Sequence, residues 1–427
     1  VNVLHSLDEP LAIPASDTVC SRTLGCYWVR ALAQELTSPG RAVLAVFVVL
    51  VLLVTTGWTA NRHARRWDSD PRAAALEAWL HGSIDQRRLP RPDSSPGAVA
   101  RFFTSLTARQ QQQLAERHPL VVGNLDGAPL NLRYRANRTS LGRAIRAENR
   151  RRLSSDLTEH GRQNSLRLVH RYRSLLEDGR QILSFDPTGR GRAAEVFGDL
   201  ATAERVSVVV PGADTDLLSF ERTEQEREAP VGMARALYAT GRHQDPTAKL
   251  AVVAWADYTT PSGIDFDAAT GGLAADGADR LLRMVDGLPE RTSTSLFCHS
   301  YGSVVCGLAA SRLPKGKVVD IAVFGSPGVR ADRAEDLNTD ARVWAARDSS
   351  DWIRNVPHLE FAGLGHGADP VSDDFGARVL SADNAHGHNG YLKPGTTSLR
   401  NFGSLAVGAY DAVACADQDP LCAIGLT

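Results

Sequence analysis

The sequence predicts an α/β fold: a mostly parallel, doubly wound sheet, preceded by an N-terminal helical extension and one transmembrane helix. Three observations carry this expectation. A run of uncharged residues stands at 42–60, an arginine-rich stretch with helical patterning fills 61–180, and from 181 short β-branched runs alternate with stretches long enough for helices. At 427 residues and 43% hydrophobic, the chain can bury a substantial core.

Residues 1–41 form an N-terminal segment. After it, AVLAVFVVLVLLVTTGWTA (42–60) would span roughly 28 Å as a helix, about one hydrocarbon thickness. Trp58 lies near its end, where interfacial aromatics belong. No face of the run is polar, which argues against a buried soluble helix. The segment before it is too long for an ordinary signal-peptide n-region, and no A-x-A site follows. The expectation is a single-pass membrane protein. Arg22, Arg30 and Arg41 precede the run while Arg62, Arg65, Arg66 and Arg72 follow it, so the positive-inside comparison is nearly tied and leaves the side of the membrane open.

In the region 61–180, Asp70-Pro71 before RAAALEAWL supplies an N-cap and a first-turn proline, and Thr107 caps ARQQQQLAERH in a similar way. HPLVVGNLDGAPLNLRYRANR (118–138), broken by Gly and Pro, reads as a loop pinned to something else. ILSF, AEVF, VSVVV, LAVVAW, SLFCH, DIAVF, RVWAA and ARVL are candidate strands of a domain over 181–412, with a tail at 413–427. Runs apolar on both faces belong to a parallel sheet covered by helices on each side. In such sheets chemistry gathers at the carboxyl ends of the strands.

Charge is lopsided although the net value is only −1. Residues 61–192 hold 25 Arg against 13 Asp and Glu, while residues 193–427 hold 20 Lys and Arg against 32 Asp and Glu. The basic part is expected to dock on the acidic part of its own chain or on anionic lipid; no nucleic-acid motif accompanies the arginines, so no nucleic-acid partner is expected. An equally weighted reading is that the Arg preference reflects a GC-rich coding sequence. Six cysteines are too few for a disulfide scaffold in a chain this long. Cys298 and Cys306 read as small core residues. Cys415 and Cys422 are close enough to form a small loop in an oxidising compartment.

One stretch, SLFCHSYGSVVCGLAAS (295–311), places a hydroxyl where an apolar run meets a helix rich in small residues. CHSYG nearly matches G-x-S-x-G, in which a strand ends, the chain turns sharply through the serine and a helix leaves. Residues two before and two after that serine must be small. Gly302 satisfies this, and Cys298 stands where the first glycine is expected.

Ser300 needs a base and an acid that orients the base, in the chain order Ser, Asp or Glu, His. Asp348 and Asp351 follow the strand RVWAA, and His386 and His388 lie in a loop after ARVL. Asp351 is preferred because D-x-I lets an apolar residue anchor the next turn, with Asp348 as the alternative; His388 is preferred because Gly387 and Gly390 shape its loop and Tyr391 offers an apolar anchor. The main-chain N–H groups of Tyr301 and Ala213, the latter after VSVVVPG, are the candidate oxyanion donors. His366, Asp369, Asp383, His386 and His388 form a weaker, metal-like alternative, and Asp265 and Asp267 resemble half of a calcium loop without the remaining spacing. No cofactor or metal is expected.

From Pro119 to Tyr410, the motifs LVVGNLDGAPLNLRYRANR, EVFGDLATAERVSVVVPGADT, WADYTTPSG, CHSYGS, GSPGV, GLGHGADP and GHNGY together resemble an actinobacterial α/β-hydrolase family long catalogued as a domain of unknown function. The resemblance implies an α/β-hydrolase fold and a Ser-Asp-His triad at Ser300, Asp351 or Asp348, and His388, but no substrate. The missing first glycine is a departure from the general hydrolase pattern. The resulting expectation is a membrane-anchored serine hydrolase acting on a small-molecule or lipid ester; the alternative is a catalytically idle hydrolase fold serving as a membrane-tethered binding module.

Overall fold

Eight short strands, each closed by a turn and most followed by a helix, build the central sheet. They are β1 (Gln181–Asp186), β2 (Arg192–Phe197), β3 (Arg205–Val210), β4 (Leu250–Ala256), β5 (Ser293–His299), β6 (Val318–Phe324), β7 (Arg342–Ala346) and β8 (Arg378–Val379). The computed structural model describes residues 70–263, 266–361 and 363–426. The strand order is β8-β7-β6-β5-β3-β4-β2-β1. β1 and β2 pair antiparallel, as do β2 and β4, and every other neighbouring pair is parallel, so the sheet is mixed.

Side-chain alternation explains why helices cover both faces. Val208, Val210, Leu296 and Cys298 belong to one buried cluster, while Val209 and Phe297, between them in sequence, belong to the other. The first cluster is completed by α7 (Gly272–Asp286) and α8 (Gly302–Ala310), the second by α6 (Pro230–Gln244) and α9 (Thr397–Val407). The chain leaves β3 to form β4 on one side and then β5 on the other. The loops after β3 and β5 therefore flank a crevice at the carboxyl edge, where parallel sheets place ligands.

Ahead of the sheet lie α1 (Pro71–Leu80), α2 (Pro96–Thr104), α3 (Ala108–Arg117), α4 (Leu130–Arg151) and α5 (Glu159–Leu175). The Asp70 side chain accepts from the Arg72 amide and starts α1; Thr107 and Gln110 form a capping box that starts α3. The stretch 118–138, expected as a loop, is largely helical, containing a single turn at Pro119–Val122 and the beginning of α4. Its Gly and Pro mark the break between two helices rather than an open loop. Two side-chain amides join it to the edge strand: the half-buried Asn124 bonds both the N–H and the C=O of Phe185, and the buried Asn137 donates to the Ile182 carbonyl.

Part of the charge asymmetry is absorbed within the chain. Arg171 pairs with Glu221, and Arg180 pairs with Glu195 and Glu221, joining the basic part to the acidic one.

The transmembrane helix and everything built on it are corrected. Residues 42–60 lie outside the described residues, and among the described residues no helix is long and apolar enough to cross a membrane. The longest, α4, carries arginines at 133, 135, 138, 143, 146, 150 and 151, incompatible with a hydrocarbon environment. The fold is therefore an α/β sheet with N-terminal helices. The single-pass membrane location, the membrane as a partner and the membrane-anchored form of the activity are set aside with the helix.

Cys298 and Cys306 lie in the core as expected, and in addition they are joined in a disulfide that the sequence reading did not include, as are Cys415 and Cys422. Adjacent positions on a strand end and its following helix brought the first pair into reach.

Candidate active site

Ser300 occupies the junction between β5 and α8 with φ 53°, a left-handed conformation that costs a non-glycine residue energy. The turn is held from several sides. The Ser300 amide donates to the Phe324 carbonyl at 3.0 Å, and the Cys298–Cys306 disulfide joins strand to helix beneath it. Close backbone approach demands small residues nearby. A Cβ on Gly302 would lie 2.4 Å from the Val210 oxygen, and one on Gly212 would lie 2.6 Å from the Ser300 Cβ. The loop after β3 thus passes directly beside the serine.

His388 faces this hydroxyl. Ser300 Oγ and His388 Nε2 are 2.8 Å apart, and His388 Nδ1 lies 2.9 and 3.1 Å from the two carboxylate oxygens of Asp351. A hydrogen on Nδ1 donates to Asp351 and leaves Nε2 to accept from the serine. Asp351 is fully buried and begins the turn after β7, where its Oδ1 also accepts from the Ile353 amide at 2.9 Å. Burial pushes its carboxyl upward, but the hydrogen bond and charge of His388, with the Tyr391 hydroxyl and the Ile353 amide, outweigh burial and hold it below the ordinary carboxylate range. The carboxylate stays ionised and fixes the imidazole's tautomer and direction.

Asp348 is placed differently. It accepts from the Ser350 amide and hydroxyl, which organise the turn toward Asp351, and no contact joins it to His388 among the described residues. The His386 side chain is exposed while its amide, with that of Gly387, bonds Asp348; the Gly387 amide also donates to Ser350 Oγ at 2.8 Å. Tyr301 is buried; its hydroxyl donates to the Thr270 carbonyl and accepts from the Ala274 amide, turning the side chain away from the serine. The amides of Tyr301 and Ala213 make no hydrogen bond among the described residues. They lie in the turn of Ser300 and in the loop that Gly212 lets approach it.

The metal-like alternative is dispersed. His366 Nε2 donates to the Ala268 carbonyl, Asp369 pairs with Arg347, and Asp383 accepts from Ser381. Among the described residues no group of three His, Cys, Asp or Glu side chains could hold a metal ion. Asp265 lies outside the described residues.

Three neighbours were not read from sequence as parts of this site. Tyr391, expected as an apolar anchor, donates to Asp351 Oδ2 at 2.6 Å and accepts from the Asp348 amide at 3.1 Å. Burial and then the Asp351 charge hold its phenol well above its ordinary pKa, so it remains a donor. His299 packs behind His388, and the half-exposed Trp352 ring lies 4.8 Å from the His388 ring. Their adjacency to Ser300, Asp351 and His388 in sequence was the available signal; the direction of each side chain was not. A hydroxyl in line with an imidazole and a buried carboxylate can pass its proton to the imidazole as it attacks an electrophile.

Residues 186–361 match the family model described as "Alpha/beta hydrolase". Two curated relatives, the uncharacterized proteins MT2140 and Rv2079 from the CDC 1551 / Oshkosh and H37Rv strains of Mycobacterium tuberculosis, are each 28% identical over 387 residues. The alignments cover 77% of this chain and 58% of each relative, so the chain spans little more than half the length of these relatives. Among solved structures, a 2,6-dihydroxy-pseudo-oxynicotine hydrolase is 11% identical with TM-score 0.34, covering 80% of this chain and 95% of that one. A putative α/β hydrolase from Agrobacterium tumefaciens, ATU1826, is 11% identical with TM-score 0.28, covering 42% and 73%. Neither likeness is close enough to speak to the chemistry of this chain. The strand order, the left-handed serine after the central strand and the family match over 186–361 identify an α/β-hydrolase domain within this chain.

Proposed function

We propose that this protein is a serine hydrolase that cleaves carboxylic esters through an acyl-enzyme, and that it belongs to the actinobacterial family its CHSYGS and GHNGY motifs resemble. The observation that carries the reading is the continuous contact from Asp351 through His388 to Ser300, at 2.9 and 2.8 Å. His388 Nε2 takes the hydroxyl proton as Ser300 Oγ attacks the ester carbonyl. Asp351, ionised and buried, stabilises the imidazolium that forms. The N–H groups of Tyr301 and Ala213 receive the developing oxyanion. His388 then returns the proton to the leaving alcohol, and a water, activated by the same imidazole, releases the acid and restores Ser300.

Covalent labelling of the purified full-length chain by a fluorophosphonate tests this. Wild type is expected to label, and Ser300→Ala and His388→Ala to abolish labelling while remaining folded. A folded wild-type protein that never labels would count against an activated serine and favour a binding role for the fold.

A further inference from the structure

His299 immediately precedes the serine and takes no part in proton transfer, yet its ring is directed at the base. His299 Nε2 lies 2.7 Å from the main-chain oxygen of His388. A carbonyl oxygen only accepts, so the hydrogen resides on Nε2. The two rings are 4.9 Å apart, and His299 also packs against Phe324 and Tyr391 at 5.2 and 6.2 Å. His299 is only 5% exposed, and burial, with the charge of a protonated His388, lowers its pKa to about 3. The ring is therefore neutral in ordinary buffer and keeps its single donor.

The residues just before His388 are tied to the turn after β7, the Gly387 amide donating to Ser350 Oγ and the His386 and Gly387 amides to Asp348, but these bonds stop short of His388 itself. Asn384, His386 and Gly387 all have positive φ, and Asp383, Asn384 and His386 are exposed. The bond from His299 is the one main-chain hydrogen bond of His388 among the described residues. Its donor sits on β5, the strand that ends in Ser300 and is paired on both sides.

We infer that His299 is a positioning residue: by tying the His388 carbonyl to the strand that carries Ser300, it sets the separation between His388 Nε2 and the serine hydroxyl. Base and nucleophile then share one rigid reference, and an error of an ångström between them costs a reaction about 100-fold. This rests on the proposed serine hydrolase activity.

The test compares full-length wild type with His299→Phe, which keeps a ring but no donor, His299→Asn, whose shorter amide withdraws the donor, and His299→Gln, whose amide nitrogen reaches as far as Nε2. Fluorophosphonate labelling is resolved into probe affinity and maximal rate, beside the melting temperature. The maximal rate is expected to fall roughly 10- to 100-fold in the Phe and Asn variants with affinity unchanged, and to recover in the Gln variant. Should Phe fail to fold, Asn against Gln carries the comparison. Non-donor variants that label like wild type, or a Gln variant no faster than Asn at equal melting temperature, overturn the positioning role alone. A folded wild type that does not label overturns this role and the hydrolase reading together.

Discussion

Asp348 and Asp351 leave the same strand three residues apart, yet their surroundings differ. Asp351 is fully buried and its oxygens meet His388 Nδ1, the Tyr391 hydroxyl and the Ile353 amide; Asp348 holds the Ser350 amide and hydroxyl and shapes the turn between them. Asp351→Asn removes the charge that steadies the imidazolium and invites the wrong tautomer. It is expected to lower labelling and ester turnover on the order of 1,000- to 10,000-fold with the fold intact. Asp348→Asn is expected to stay within about tenfold of wild type, because its effect reaches His388 only through a turn. Steady-state rates on a short-chain activated ester would separate the two, and equal losses would contradict the assignment. Sequence narrowed the acid to these residues because both follow an identifiable strand. Choosing between them requires side-chain direction, which depends on how the turn at Ser350 closes.

At the scale of an element, the turn from β5 to α8 shows how a missing glycine is accommodated. Cys298 pairs with Val210 on one side and Val323 on the other, and its side chain bonds covalently to Cys306, one turn into the helix. Both cysteines are completely buried. The motif indicated a small residue at 298, but a bond across the turn could not be read from spacing alone, since residues eight apart meet only where the chain turns back between them. Replacing both cysteines by alanine is expected to lower unfolding free energy by about 2 kcal/mol in denaturant titration, through the loss of a closed loop. The corresponding Cys415→Ala/Cys422→Ala variant, far from the serine turn in sequence, is the comparison for labelling: the first variant should slow it and the second should not.

Across the whole molecule, global stability reports the buried polar groups of the site together. His299 has a folded pKa of about 3 against an ordinary value near 6.5, so between these values the unfolded chain binds the extra proton. Its contribution makes stability fall as pH drops from about 6.5 toward 3. Asp351 has a lowered folded pKa, so its contribution is present above the ordinary carboxylate range and fades only as pH falls below it toward the folded value. The loss that begins near neutrality is shared by His299 with His118 and His366, which burial also holds below the ordinary histidine range, and thermal unfolding across this range should show a shallower slope in His299→Gln than in wild type. Identical slopes would show that His299 does not remain buried and neutral.

By itself, the sequence determined the α/β class, the caps that begin α1 and α3, the alternation that buries both faces of the sheet, and the order of Ser300, the two aspartates and His388 past successive strand ends. These are local features, set by side-chain period, turn chemistry and chain order. Tertiary structure decided what depends on directions between distant segments: the antiparallel pairing of β1 and β2, the helical state of 118–138, the bond between Cys298 and Cys306, the contact of Asp351 rather than Asp348 with His388, and the hydrogen bond from His299 to the main-chain oxygen of His388. A hydrogen bond needs donor and acceptor aligned within a few tenths of an ångström. That alignment comes from strand pairing and from packing on both faces of the sheet, which bring residues nearly ninety positions apart, Ser300 and His388, into contact.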